Sequence, residues 1–141
     1  MSTTGLEVFD STLQKTHVWL NEIMVVLGWD DRRHAYLALR ATLHALRDRL
    51  TAEEAVQLGA QLPMLIRGFY FEGWSPRHKP VKVHKEAFLA GIRDAFGPGN
   101  AVDAERVARG VFKVLSQRVS EGEIGDIKHV LPKDLRALWP H

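Results

Sequence analysis

Seven histidines, two carboxylate doublets and one basic stretch are the residues in this 141-residue chain best placed to do chemistry. The histidines are His17, His34, His44, His78, His84, His129 and His141. A zinc site needs three or four converging ligands, and no H-x-x-x-H or H-E-x-x-H spacing occurs. His34 with Asp30 and Asp31 could hold a metal weakly, but the same three residues suit a helix start, where Asp caps backbone amides. His78 and His84 flank Lys79 and Lys82, and neighbouring cations oppose metal binding. The chain has no Cys, which removes disulfides, thiolate ligands and thiol nucleophiles together. There is no G-x-S-x-G, no P-loop and no G-x-G-x-x-G. Glu53/Glu54 and Asp30/Asp31 lie at helix starts, where the helix dipole already favours negative charge. The expectation is therefore no catalytic residue, no metal and no cofactor.

Charge and aromaticity offer more. Residues 71–84, FEGWSPRHKPVKVH, hold three Lys/Arg against one acid, while the whole chain is only +2. The excess sits in this stretch, whose two prolines and one glycine argue against a continuous helix. Arg77, Lys79, Lys82 and Lys85 are candidate anion-binding residues, and Trp74 beside them could stack on a base. Phe69, Tyr70, Phe71 and Trp74 are candidate members of an exposed contact surface. A dedicated nucleic-acid protein would show a stronger, patterned surplus of positive charge.

The elements that position these residues follow from an internal match. Shifting the chain by 69 positions aligns residues 16–70 with 85–139 without a gap, and eleven of the 55 pairs are identical. They include Leu20/Leu89, Ile23/Ile92, Gly28/Gly97, Arg40/Arg109, Leu46/Leu115, Arg49/Arg118, Glu54/Glu123 and Arg67/Arg136. Trp19, Ile23 and Leu27 share a helical face, and Gly28 is placed to stop that helix in a left-handed conformation. Tyr36, Leu39, Leu43, Leu46 and Leu50 mark the next helix, capped by Asp30 or Asp31; Asn100 or Asp103 caps its copy. Thr51-Ala-Glu-Glu54 and Ser120-Glu-Gly-Glu123 read as capping boxes, in which the hydroxyl accepts from the third amide and the Glu reaches back to the cap amide. Short helices follow, to about Ala60 and His129. Leu62-Pro63 and Leu131-Pro132 then turn corners into helices expected over Met64–Phe71 and Lys133–Leu138. Arg67 and Arg136 sit one turn beyond, placed to bind carboxylates or helix-end carbonyls. No stretch alternates with period two, so no sheet is expected.

The string ALRATLHALRDRLTAEEAVQLGAQLPMLIRGFYFEGW (38–74), followed by a second copy ending LPKDLRALWP, resembles the bacterial family catalogued as domain of unknown function 2267. The resemblance covers about residues 10–140. It implies an all-helical fold and brings no activity, cofactor or catalytic residue with it.

The expected architecture is an all-α helical bundle spanning 1–141 as one domain. It consists of two tandem pseudo-repeats of about four helical segments each, 7–70 and 85–140, joined by linker 71–84. The expected function is a non-enzymatic interaction or scaffold module whose partner is another protein or a second copy. The alternative is a nucleic-acid or anion-binding accessory protein using linker residues 74–85; the third is an unrecognised enzyme or metal protein. No stretch approaches the ~20 apolar residues that span a bilayer, and the N-terminus shows no secretory leader, so the expected location is cytoplasmic.

Overall fold

Four short polar side chains set the helix starts. Asp31 accepts from the Arg33 amide at 2.8 Å, Thr51 from Glu54 at 3.2 Å, Asp103 from Arg106 at 3.2 Å and Ser120 from Glu123 at 3.2 Å. Each satisfies an amide that the first turn leaves without an intrahelical partner. The computed structural model describes residues 3–77 and 79–140 and has eight helices and no strand among them. They are α1 (Glu7–Leu27), α2 (Arg32–Arg47), α3 (Ala52–Ala60), α4 (Met64–Phe71), α5 (Lys85–Phe96), α6 (Ala104–Arg118), α7 (Glu121–Val130) and α8 (Lys133–Arg136). The chain is an all-helical bundle. His78 and His141 lie outside the described residues.

Gly28 ends α1 at φ 68°, ψ 31°, and its amide donates to the Met24 and Val25 carbonyls. Only glycine takes this left-handed conformation cheaply. α2 stops at Arg47 and α6 at Arg118, yet Leu50 and Val119 beyond them remain buried. The apolar period continues past the helix because the chain turns back over the same core. α8 is shorter than expected, ending at Arg136 rather than Leu138. Leu138 and Trp139 still pack inward from the turn that follows.

One core joins all eight elements. Ile23, Leu46, Ile92 and Leu115 are each wholly buried within it. The packing crosses the middle of the chain: α1 lies on α6, α2 on α5 and α6, and α3 on α7. α1 and α6 approach so closely that a Cβ on Gly110 would stand 2.7 Å from Leu27 Cδ2. Arg106, on α6, donates to the Leu27 carbonyl and so caps the end of α1 from the other half.

Candidate binding grooves

α1, α2 and α4 meet around an apolar groove of about 540 Å³. Its floor is Leu13 and Leu20 of α1, Tyr36 of α2, and Leu65 and Phe69 of α4. The Tyr36 and Phe69 rings meet edge to face at 5.2 Å, the arrangement their quadrupoles favour. α4 is fastened to α1 by the Leu65 amide, which donates to Thr12 Oγ1 at 2.9 Å. It is fastened to α2 by His44, whose Nε2–H donates to the Phe69 carbonyl at 2.7 Å. Burial holds the His44 imidazole below the ordinary histidine range, the Phe69 carbonyl partly opposing that shift and Arg47 and Arg40 adding to it. His17, Arg32 and Arg33 form the rim and are exposed. Among the described residues, neither arginine side chain pairs with a carboxylate.

This placement corrects the expected aromatic surface. Of Phe69, Tyr70, Phe71 and Trp74, only Phe69 lines the groove. Tyr70 is 0% exposed; its hydroxyl donates to the Ala55 carbonyl at 2.8 Å, and burial pushes the phenol well above its ordinary pKa. Phe71 is half-buried, 4.7 Å from the Tyr70 ring and 5.3 Å from that of Trp74. Trp74 is itself half-buried against the core, with its indole N–H enclosed and unpartnered among the described residues. The helical turn that exposes Leu65 points Tyr70 inward, a separation that adjacent aromatic letters conceal.

The basic stretch also divides. Arg77, Lys79 and Lys82 are exposed. Lys85 is not a free anion contact: it opens α5 and its ammonium pairs with Glu105 at 2.7 Å. Glu105 also takes Arg109 at 3.0 Å, and these two donors draw its carboxyl below the usual range. Lys82 lines a second cavity, between the linker and the α7–α8 corner.

At the first corner Arg67 donates through Nε to the Gly59 carbonyl at 2.9 Å and through Nη2 to those of Ala60 and Leu62 at 3.3 and 3.0 Å. At the second, Arg136 donates to the Leu131 carbonyl at 3.1 Å. Both arginines sit on orphan carbonyls at the end of the preceding helix, where positive charge is favoured. Leu62 and Leu131 are buried beneath, and Pro63 and Pro132 stand immediately before α4 and α8. Arg40 reaches Glu72 at 2.6 Å, and Arg118 pairs with both oxygens of the Glu22 carboxylate through its Nε and Nη2. Arg47, which has no counterpart in the second half, donates to the Tyr70 and Glu72 carbonyls and holds the end of α4 to α2.

The capping boxes differ from expectation in one bond. The Ser120 amide donates to Gln61 Oε1 at 2.8 Å, and Gln61 Nε2 donates to Ser120 Oγ at 3.0 Å. A residue from the other half therefore takes the place that Glu123 would fill. Glu123 is left buried with Oε2 unpartnered among the described residues, as is Glu54 Oε2. Burial first, then repulsion from Glu54 and Asp126, raises the Glu123 carboxyl above the ordinary range.

Among the described residues no group of three or more His, Asp or Glu is placed to hold a metal. The Asp31 carboxylate caps Arg33 and meets His34 at 3.5 Å, as a helix start requires. No helix among them is long and apolar enough to cross a membrane.

No curated protein matches the chain. Residues 16–138 match a family described as an uncharacterized conserved protein, DUF2267, a match that runs from the third turn of α1 to the residues just after α8. With that match covering most of its length, including α2 to α8 and the C-terminal part of α1, the chain belongs to the DUF2267 family.

Proposed function

We propose that this protein is a non-enzymatic interaction module of the cytosol that receives an amphipathic, acidic helix of a partner protein in the α1–α2–α4 groove. The observation that carries the reading is the coupling of an apolar floor to uncompensated arginines. Leu65 is 40% exposed at the groove, and Arg32 and Arg33 stand above it without carboxylate partners among the described residues. A helix laid into a groove buries one apolar face. Carboxylates beside that face would complete the charge that Arg32 and Arg33 offer, giving register and association rate more than raw affinity.

The test is selection of a random peptide library on the intact protein. Enriched peptides should carry apolar residues at i, i+3 or i+4, and i+7, with Asp or Glu beside them. Their binding should weaken tenfold or more in Leu65→Asp and in Arg32→Glu/Arg33→Glu, and should fall with added salt. Selection of basic peptides, or binding that both variants leave unchanged, overturns the reading. The nucleic-acid alternative keeps Arg77, Lys79 and Lys82 but loses Lys85 to Glu105; salt-sensitive retention of single-stranded nucleic acid that Lys79→Glu/Lys82→Glu abolishes would select it.

We also infer that the halves are tandem copies related by a pseudo-two-fold axis. The exchange of contacts supports this: α1 with α6 and α2 with α5 are reciprocal, while α3 meets its counterpart α7. Reciprocal pairing is the mark of an isologous interface.

A further inference from the structure

The geometry points to a second site: the cavity between the linker and the α7–α8 corner binds a small apolar carboxylate, with Arg49 as its counter-charge. This inference is independent of the groove reading above. The cavity holds about 510 Å³, within the range of roughly 300–1,000 Å³ typical of small-ligand pockets. Val81, Val83 and Pro80 of the linker face Val130, Leu131 and Pro132 across it. The linker is held there by the Val81 amide, which donates to the Asp48 carbonyl at 2.9 Å.

Two cationic side chains share this apolar enclosure, Arg49 and Lys82; His84, also at its wall, meets the Asp134 carboxylate at 3.6 Å. Arg49 is the distinctive one. Its guanidinium carbon lies 5.6 Å from the centre of the Phe88 ring, and its buried Nε–H has no acceptor among the described residues. The nearest carboxylate in sequence, Asp48, is engaged by Arg47 at 3.2 Å. Desolvation consequently pulls the Arg49 guanidinium below its ordinary pKa, with Asp48 only partly opposing that shift. Its counterpart Arg118 instead has Glu22. A partly buried cation stacked on a ring, with no carboxylate in direct contact among the described residues, is a poor structural element, since burying poorly paired charge is costly. It is a good receptor for an incoming carboxylate. The apolar walls select the rest of the ligand: a polyanion would place further charge against Val81, Val83, Val130 and Leu131 and would have to desolvate it. A chain of several carbons ending in one carboxylate satisfies both the walls and the arginine.

The experiment is calorimetric titration of the intact protein with octanoate, 1-octanol and octylamine, each checked by amide chemical shifts. Octanoate should bind saturably at one site, at least tenfold more tightly than either control, and move the amides of Val81, Val83 and Val130. Arg49→Gln should remove the preference for octanoate over octanol. Val130→Asp, at a position 43% exposed, should weaken octanoate tenfold while leaving the helical spectrum intact. It decides the matter if Arg49→Gln does not fold. Equal binding of octanoate and octanol, shifts confined to other helices, undiminished binding by a folded Arg49→Gln, or full displacement by inorganic phosphate would each overturn the proposal.

Discussion

At the first corner Arg67 reaches three carbonyls and Tyr70 donates to a fourth; at the second Arg136 reaches one, and Trp139 lies flat on Phe112, centroids 4.0 Å apart and planes 4° from parallel. The letters at the two corners are nearly the same, but the means of closure is not. Where α4 runs for eight residues, there is helix enough to carry Tyr70 over α3, and a hydroxyl finds the Ala55 carbonyl. Where α8 runs for only four, the aromatic follows a turn and packs as a plate. Phe112 stands where the first half has Leu43, and it supplies the ring that Trp139 needs. The Trp139 indole N–H has no acceptor among the described residues, so that ring is held by burial and stacking, whereas a hydrogen bond also holds the Tyr70 ring. A repeated motif thus fixes the path of the backbone and leaves the chemistry of closure to its surroundings.

Truncating the aromatics should break this contrast most visibly. Trp139→Ala removes a buried plate and should cost about 3–5 kcal/mol, whereas Tyr70→Phe keeps the ring, loses one hydrogen bond and should cost about 0.5–1.5 kcal/mol. Chemical denaturation of the two variants measures the difference; similar costs would mean that the corners close alike. The arginines should reverse the order. Arg67→Met should lose about 1–3 kcal/mol and Arg136→Met about 0.5–1 kcal/mol, in proportion to the carbonyls each uncovers. A larger loss at Arg136 would refute the account of the first corner as the hydrogen-bonded one.

The smallest expected effect concerns α3 and α7. Because the folded state raises the Glu123 carboxyl above its ordinary pKa, it binds that proton more tightly than the unfolded chain does. The penalty is present at neutral pH, lifts as pH falls through the raised value, and is gone below about pH 4.3, the ordinary glutamate value. Glu123→Gln should therefore raise the melting temperature at pH 7, with a gain that shrinks toward pH 4. Glu54→Gln, which removes only the repulsion, should give a smaller gain. A gain for Glu123→Gln that is constant with pH would show that the carboxylate is compensated in solution.

What the sequence disclosed was local. Apolar spacing places Ile23, Leu46, Ile92 and Leu115 in the core, and the caps are legible because a cap and its amide lie two or three residues apart: Thr51 and Ser120 outright, Asp31 and Asp103 as one of two candidates each. The chain gave no comparable sign of Gln61 meeting Ser120, 59 residues away, or of Lys85 meeting Glu105. Arg47, the most buried arginine among the described residues, is hidden for the same reason, and because the 69-residue shift sets Ser116 against it. Adjacent aromatics do not form one surface because a helix sends neighbours to different faces. The two cavities were the least legible, since their walls come from three or more segments and only tertiary packing brings them together.

The crossing of the two halves has a consequence for biosynthesis. While the chain emerges from the ribosome, α1 and α2 exist before the α5 and α6 surfaces that cover them. The Leu27 carbonyl waits for an arginine 79 residues downstream. The first half therefore keeps the faces of α1 and α2 that meet α5 and α6 uncovered, Leu27 among them, until those two helices have left the exit tunnel. Folding is committed late, by contacts distant in sequence, and two nascent copies on one message could exchange their second halves before either closes. Such a swap would conserve the core contacts and need only the linker to take another path.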